Sequence, residues 1–174
     1  MPTRGLQRVC GPVCAIRLIE HQKLEKARKA NSKALRARKE ALRSKSDWAK
    51  LAQKEFNAFI RLRDQDDPCI SCGRYHQGQY HAGHYRTTAA QPALRFNEIG
   101  CHLQCMPCNT HKSGNISEYR INLIKKIGIE LVEWLEIDHP QVKPWTVEEL
   151  QAVRRYYRDA QKAMKLTPGE AEPF

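Results

Sequence analysis

The sequence predicts an α+β fold in which short strands and turns are held between helices, behind a basic helical arm. Three observations predict it. Two Cys-x2-Cys pairs, Cys69/Cys72 and Cys105/Cys108, bracket a 32-residue segment that carries four Gly and four His. Apolar residues recur at helical spacing on both sides, over 47–63 and 116–137, and a capping box opens a further helix at Thr146. Ahead of these, residues 21–45 are rich in Ala, Lys, Arg and Leu, with no Pro or Gly. At 174 residues, 7% aromatic and a mean hydropathy of −0.69, the chain has room for one domain with a modest core. Small cores are commonly stapled, and here the staple expected is zinc.

Charge sets the class of partner. The net charge is +11 and the isoelectric point about 9.5, which suits a polyanion, nucleic acid first and an anionic membrane surface second. No apolar run approaches the roughly 18–20 residues of a membrane span, and the start MPTRGLQRVC has no apolar signal core. A soluble, intracellular (cytoplasmic) protein is therefore expected. Seven cysteines in a reducing compartment point to metal rather than disulfides.

The elements follow in order. Residues 1–20 hold Cys10 and Cys14, half of a zinc site, with only His21 nearby as a further ligand. A closed site needs four ligands, so a truncated or inert finger is expected. The arm at 21–46 carries ten Lys/Arg against two Glu over residues 21–45. Ala27, Ala30, Ala34, Ala37 and Ala41 repeat in a 3-4-3-4 rhythm that Trp48 continues, either a thin helix-pairing seam or simply part of a solvated basic helix. The main domain is expected over 47–165. It opens with a helix at 47–63, capped by Asp47, with Trp48, Leu51, Ala52, Phe56, Phe59 and Ile60 on one face. Strands and turns fill 69–112. A second helical region at 116–137 has Ile121, Ile124 and Ile127 on one face, a break at Gly128, then Leu131, Val132 and Leu135. A last helix starts at the capping box Thr146-Val-Glu-Glu149 and runs to about Lys165, ahead of a frayed tail at 166–174.

Each Cys-x2-Cys can fold as a tight knuckle presenting two thiolates. Two knuckles complete a tetrahedral four-thiolate zinc site with no open position, which is structural and not catalytic. A redox pair needs only one such motif and does not explain the second. Cys101 falls outside the pairing and reads as a small core residue. Zinc at Cys69, Cys72, Cys105 and Cys108 would make the chain leave and return to one point, holding rigid whatever residues 73–104 display.

That segment displays His76, His81, His84 and His102, and Asn109 and His111 follow Cys108 directly. His76 reads as polar filler. The stretches CISCG, AGHYRTTAA, LRFNE and QCMPCNTHKSGN resemble the NinG/Rap recombination proteins of lambda-type bacteriophages, across roughly Asp47 to Lys162. Those belong to the HNH, or His-Me finger, nucleases, and endonuclease VII of T-even phages is similar in plan. The resemblance implies a ββα-metal core, a hairpin packed on a helix with a catalytic ion between them. It also implies cleavage of branched DNA such as Holliday junctions and D-loops.

By that resemblance His84 is the general base and Asn109 a ligand of the catalytic ion. The chemistry suits these residue types: a neutral imidazole can take a proton from water, and an amide oxygen suits a hard cation such as Mg²⁺. His81 would be a further ligand and shift preference toward Mn²⁺. His111 is an extra ligand or a DNA contact, Arg86 and Lys112 are candidates to hold the phosphate, and His102 supports the site from behind. Three departures from the family pattern stand out. Gly100 occupies a position where many HNH motifs have Asn, so that Asn97 must substitute or the role is lost. His81 stands where an acidic ligand is usual, and the relatives carry a fuller Cys-rich finger at the start. The expected function is therefore a structure-specific, metal-dependent endonuclease on branched DNA, with a homodimer plausible because resolving a four-way junction needs two nicks. The alternatives are a zinc-stabilised DNA-binding protein without catalysis, and a scaffold or membrane-surface element built on the basic helix.

Overall fold

A run of strong helix formers opening on a proline gives α1, Pro12–Ala41, in a computed structural model that describes residues 11–140 and 143–166. The chain divides between Ser44 and Lys45 into two units, and α1 is the first. No residue of α1 is buried, in keeping with its charge. The helix starts well before residue 21, so Cys14 lies in its first turn, while Cys10 is outside the described residues. It ends at Ala41, so the alanine rhythm stops there. Trp48 belongs to the next helix and its core and does not continue the rhythm.

The second unit opens with α2, Lys45–Arg63, whose buried residues Trp48, Ala52, Phe56, Phe59 and Ile60 share the face read from the sequence. Asp47 is not the cap. It sits inside the first turn, where a carboxylate still opposes the positive end of the helix dipole. The last helix of the chain, α5 (Val147–Leu166), runs beside α2. Leu150 packs with Trp48 and Ala52, and Tyr157 meets Phe56 edge-on at 5.0 Å. Its capping box is formed: the Thr146 N–H donates to the Glu149 carboxylate (2.8 Å), and the Glu149 N–H donates to Thr146 Oγ1 (3.1 Å). Phe56 is fully buried, so truncating it to Ala removes about 3–5 kcal/mol.

Against α2 packs a two-stranded antiparallel sheet, β1 (Tyr80–His84) and β2 (Cys101–Cys105), with Tyr80 opposite Cys105 and His84 opposite Cys101. Ala82 and Cys101 face Phe56, Phe59 and Ile60 of α2. Cys101 is thus a core residue, its thiol held up by burial. Beyond the sheet, α3 (Ile116–Ile127) and α4 (Ile129–Glu136) meet at Gly128, whose φ of +86° explains the glycine. Tyr119, Leu123, Val132 and Leu135 form their buried side with Ile70, Tyr85 and Leu94. This corrects the isoleucine face: Ile124 and Ile127 pack against the core, but Ile121 is 49% exposed and Leu131 41%. The residues in contact are those following the α3 axis from Tyr119, an aromatic at helical spacing from Leu123. The architecture is mixed and helix-rich around a small sheet. Among the described residues, no helix is long and apolar enough to cross a membrane.

Candidate metal centre and histidine site

The four cysteines converge. Cys69 and Cys72 form a knuckle after α2, Cys105 ends β2, and Cys108 lies in a π-helical turn at Pro107–His111. Their sulfurs all lie within 4.8 Å of one another, three of them buried and Cys72 half-buried. A tetrahedral zinc with Zn–S near 2.3 Å requires sulfurs about 3.8 Å apart, so this donor set fits the ion. The electrostatics agree. Burial opposes ionisation at Cys69, but backbone N–H groups of Cys105, Cys72 and Ser71 hold its thiol below the ordinary value. Burial and its neighbouring thiols push Cys105 up to about 12 and raise Cys108. Four thiols so close cannot all ionise without a cation between them. The cluster can therefore bind a metal such as zinc.

His76 is not filler. Its Nε2 lies 3.1 Å from Cys72 Sγ, and its backbone N–H donates to the Tyr80 hydroxyl (2.7 Å). The Cys105 N–H donates to Cys69 Sγ (3.3 Å). Such donors spread the negative charge of a metal–thiolate centre.

Away from the cysteine cluster, further bonds position the hairpin. Gly83 is required by close approach: a Cβ there would sit 2.1 Å from Gln104 Oε1. Tyr119 donates its hydroxyl proton to the Gly83 carbonyl (2.8 Å), fixing β1 to α3 one residue before His84. The Tyr85 N–H donates to the Gly100 carbonyl (2.8 Å), and the Gly100 N–H donates to Asn97 Oδ1 (2.9 Å). Asn97 thereby ties the loop that enters β2 beside the last residue of β1. A Cβ on residue 100 would meet Leu135 at 3.0 Å, which explains the glycine. Gln104, fully buried on β2, donates to Ser71 and to the Gly114 carbonyl. Ser113, Gly114 and Asn115 all have positive φ, a strained turn between the π-helical turn and α3.

His84 and Asn109 line one cavity of about 460 Å³, together with Thr87, Thr88, Ser113 and Gly114. The His84 ring stacks on Phe56 (5.7 Å), and its Nε2 is 3.3 Å from Gln53 Nε2. Burial, reinforced by the Arg95 charge, lowers the His84 pKa to about 4, so the ring is neutral at physiological pH. His81 sits at Asn109, with Nδ1 2.8 Å from Asn109 Nδ2. The other expected residues lie apart. His111 is exposed. Lys112 lines a different cavity, of about 320 Å³, with Arg74, His76 and the knuckle cysteines. Arg86 turns toward Asp138 (3.9 Å) and is not part of the His84 cavity lining. His102 is buried against α2, where Asp64 gathers Arg63, His102 and the Leu103 N–H. Burial opposes the Asp64 charge, but the Arg63 and His102 bonds hold its carboxyl well below the usual range. Among the described residues, no other group of three or more His, Cys, Asp or Glu lies close enough to hold an ion.

The family described as "Bacteriophage Lambda NinG protein" matches residues 1–167 of this sequence. The chain belongs to the NinG family. The ninG protein of Escherichia phage lambda is 45% identical, the match covering 93% of this chain and 86% of the relative. That of Salmonella phage P22 gives the same figures, 45%, 93% and 86%. That of Escherichia phage 933W is 50% identical, over 79% of this chain and 68% of its own. No solved structure matches.

Three residues of this NinG-family site escaped the sequence reading. Gln53 lies three residues before Phe56 and seven before Ile60, a polar side chain inside an apolar helical stripe. That placement was the available signal. Asp64 lies just past the end of α2, and only the fold shows it binding β2. Arg95 acts on His84 across a turn of chain that no periodicity describes.

Proposed function

We propose that this protein is a structure-specific DNA endonuclease that cleaves branched recombination intermediates, Holliday junctions and D-loops, by metal-assisted phosphodiester hydrolysis at an HNH-type site. The observation that carries the reading is the single cavity lined by His84 and Asn109, with His81 at Asn109 and the four-cysteine cluster at the Tyr80–Cys105 end of the hairpin. In this reading His84 takes a proton from the water whose oxygen bonds to phosphorus, as the bond to the leaving sugar oxygen breaks. A Mg²⁺ or Mn²⁺ ion would supply positive charge for the crowded phosphate. Asn109 and His81 would hold that ion, their side chains being close enough to reach one centre. The mixed N/O donor set favours Mn²⁺. His111 and Lys112, both exposed, would contact the DNA outside the His84 cavity. Arg86 would have to leave Asp138 to join them. The basic α1 adds phosphate attraction independent of sequence, and a homodimer would supply the second nick.

A second reading, a zinc-stabilised DNA-binding protein without catalysis, is favoured by one observation. No carboxylate cluster accompanies His84 among the described residues. One experiment separates the two. End-labelled four-way junction and linear duplex are incubated with wild type and His84→Ala in Mg²⁺, Mn²⁺ or EDTA. The endonuclease reading expects junction cleavage by wild type with metal, and binding without cleavage by the variant. Binding by both proteins with no cleavage under any metal leaves the second reading.

A further inference from the structure

From α2, the polar side chain of Gln53 reaches His84. Its carboxamide contacts two groups, His84 Nε2 at 3.3 Å and Asn57 Oδ1 at 2.8 Å, and both contacts involve the Gln53 amide nitrogen. Gln53 Oε1 is buried and has no partner. The two ends of a carboxamide have the same shape, so the same heavy-atom positions accommodate the amide turned by 180°. Turned together with the Asn57 carboxamide, whose Nδ2 then replaces Oδ1 at the contact, Oε1 accepts from His84 Nε2–H on one lone pair and from Asn57 Nδ2–H on the other. Either orientation makes two bonds and leaves one end of the amide unpartnered, so the bond count does not choose between them. The ring chooses. A neutral imidazole intrinsically prefers its proton on Nε2, and the bond made at one nitrogen fixes the state of the other. An amide N–H aimed at Nε2 would force the proton onto Nδ1 and leave His84 no free lone pair.

We propose that Gln53 is a positioning residue that accepts the Nε2 proton of His84 and so keeps Nδ1 as the ring's free lone pair. Phe56, stacked on the ring at 5.7 Å, holds the imidazole in the plane that this bond needs. The consequence for proton transfer rests on the endonuclease reading. The tautomer itself does not.

The test is the side-chain ¹⁵N spectrum of the zinc-loaded full chain at pH 7, without DNA, Mg²⁺ or Mn²⁺. His84 is assigned by the signal that disappears in His84→Ala. Wild type is expected to show a protonated Nε2 and an unprotonated Nδ1. Gln53→Leu should collapse this to a mixture of tautomers and slow junction cleavage roughly 10–100-fold, the usual span for losing a supporting hydrogen bond, with junction affinity unchanged. Gln53→Glu keeps an acceptor and should restore both the spectrum and most of the rate. Gln53→Met replaces the Leu variant if that does not fold. A protonated Nδ1 in wild type overturns the proposal, as does a wild-type spectrum in the Leu or Met variant. If His84 carries its proton on Nε2 and wild type cuts no DNA, the endonuclease reading falls and Gln53 keeps its assignment. If wild type cuts with Nδ1 protonated, the reverse holds.

Discussion

Lowering the pH from 7 to 5 should destabilise the wild-type protein through His84, and His84→Gln should escape that loss. Burial, with Arg95 nearby, lowers the His84 pKa from 6.5 to about 4. Between those values the unfolded chain binds a proton that the folded chain does not. Stability is therefore intact above the unfolded pKa and falls as the pH drops toward the folded one. From pH 7 to 5 the ring crosses about 1.5 units of that window, about 2 kcal/mol at 1.36 kcal/mol per unit. Residual exposure of His84 reduces this to about 1–2 kcal/mol.

The assay is guanidinium unfolding of zinc-loaded protein at both pH values, followed by far-UV circular dichroism. Acid also weakens the cysteine centre, but equally in both proteins, so the double difference isolates His84. If wild type and His84→Gln lose the same stability between pH 7 and 5, His84 is not held neutral by its burial, and the electrostatic account of the site fails.

Four further outcomes follow from the geometry. Metal analysis of protein purified without chelator should give one zinc per chain; Cys105→Ser should abolish it and unfold the 45–166 unit, seen as reduced protection in hydrogen exchange. His76→Ala should leave the fold intact but speed zinc transfer to a chromogenic chelator, because Cys72 loses the imidazole 3.1 Å from its sulfur. Gly83→Ala should cost about 1–3 kcal/mol in thermal unfolding, since its Cβ would overlap the buried Gln104 amide. Replacing Lys33, Arg36 and Arg38 of α1 with Gln should flatten the dependence of log K on log salt for junction binding, by roughly 0.9 for each phosphate no longer neutralised. An unchanged slope would take α1 out of the interface.

How much of this was legible depended on whether the cause lay in local chemistry. The cysteine spacing announced a metal centre, because knuckle geometry is fixed within four residues. The apolar face of α2 and the Thr146 capping box were legible for the same reason. The α3 face was misread, because Ile121 has the right hydropathy but the wrong angle once Tyr119 is the residue pinned under Gly83. His76 was misread because its partner sulfur is decided by the knuckle's path and not by spacing. Nothing in the sequence separated Lys112 and Arg86 from His84, although the fold turns them to a neighbouring cavity and to Asp138.

The histidine site shows what fold adds to a motif. The motif supplies an imidazole and an amide; burial against Phe56 and proximity to Arg95 then decide how that imidazole behaves. A base titrating near 4 is always unprotonated at neutral pH but weakly basic, which is a poor match for abstracting a proton from water. Under the proposed endonuclease reading, a phosphate entering the cavity would change both terms. Its negative charge opposes that of Arg95 and favours the protonated ring, raising the His84 pKa toward neutrality at the moment a proton must be taken. The activation of His84 would then depend on bound substrate. The pH–rate profile of kcat on junction DNA should therefore show a midpoint well above the one for kcat/KM, which reports free enzyme. Coinciding midpoints would place the tuning of His84 in the protein alone.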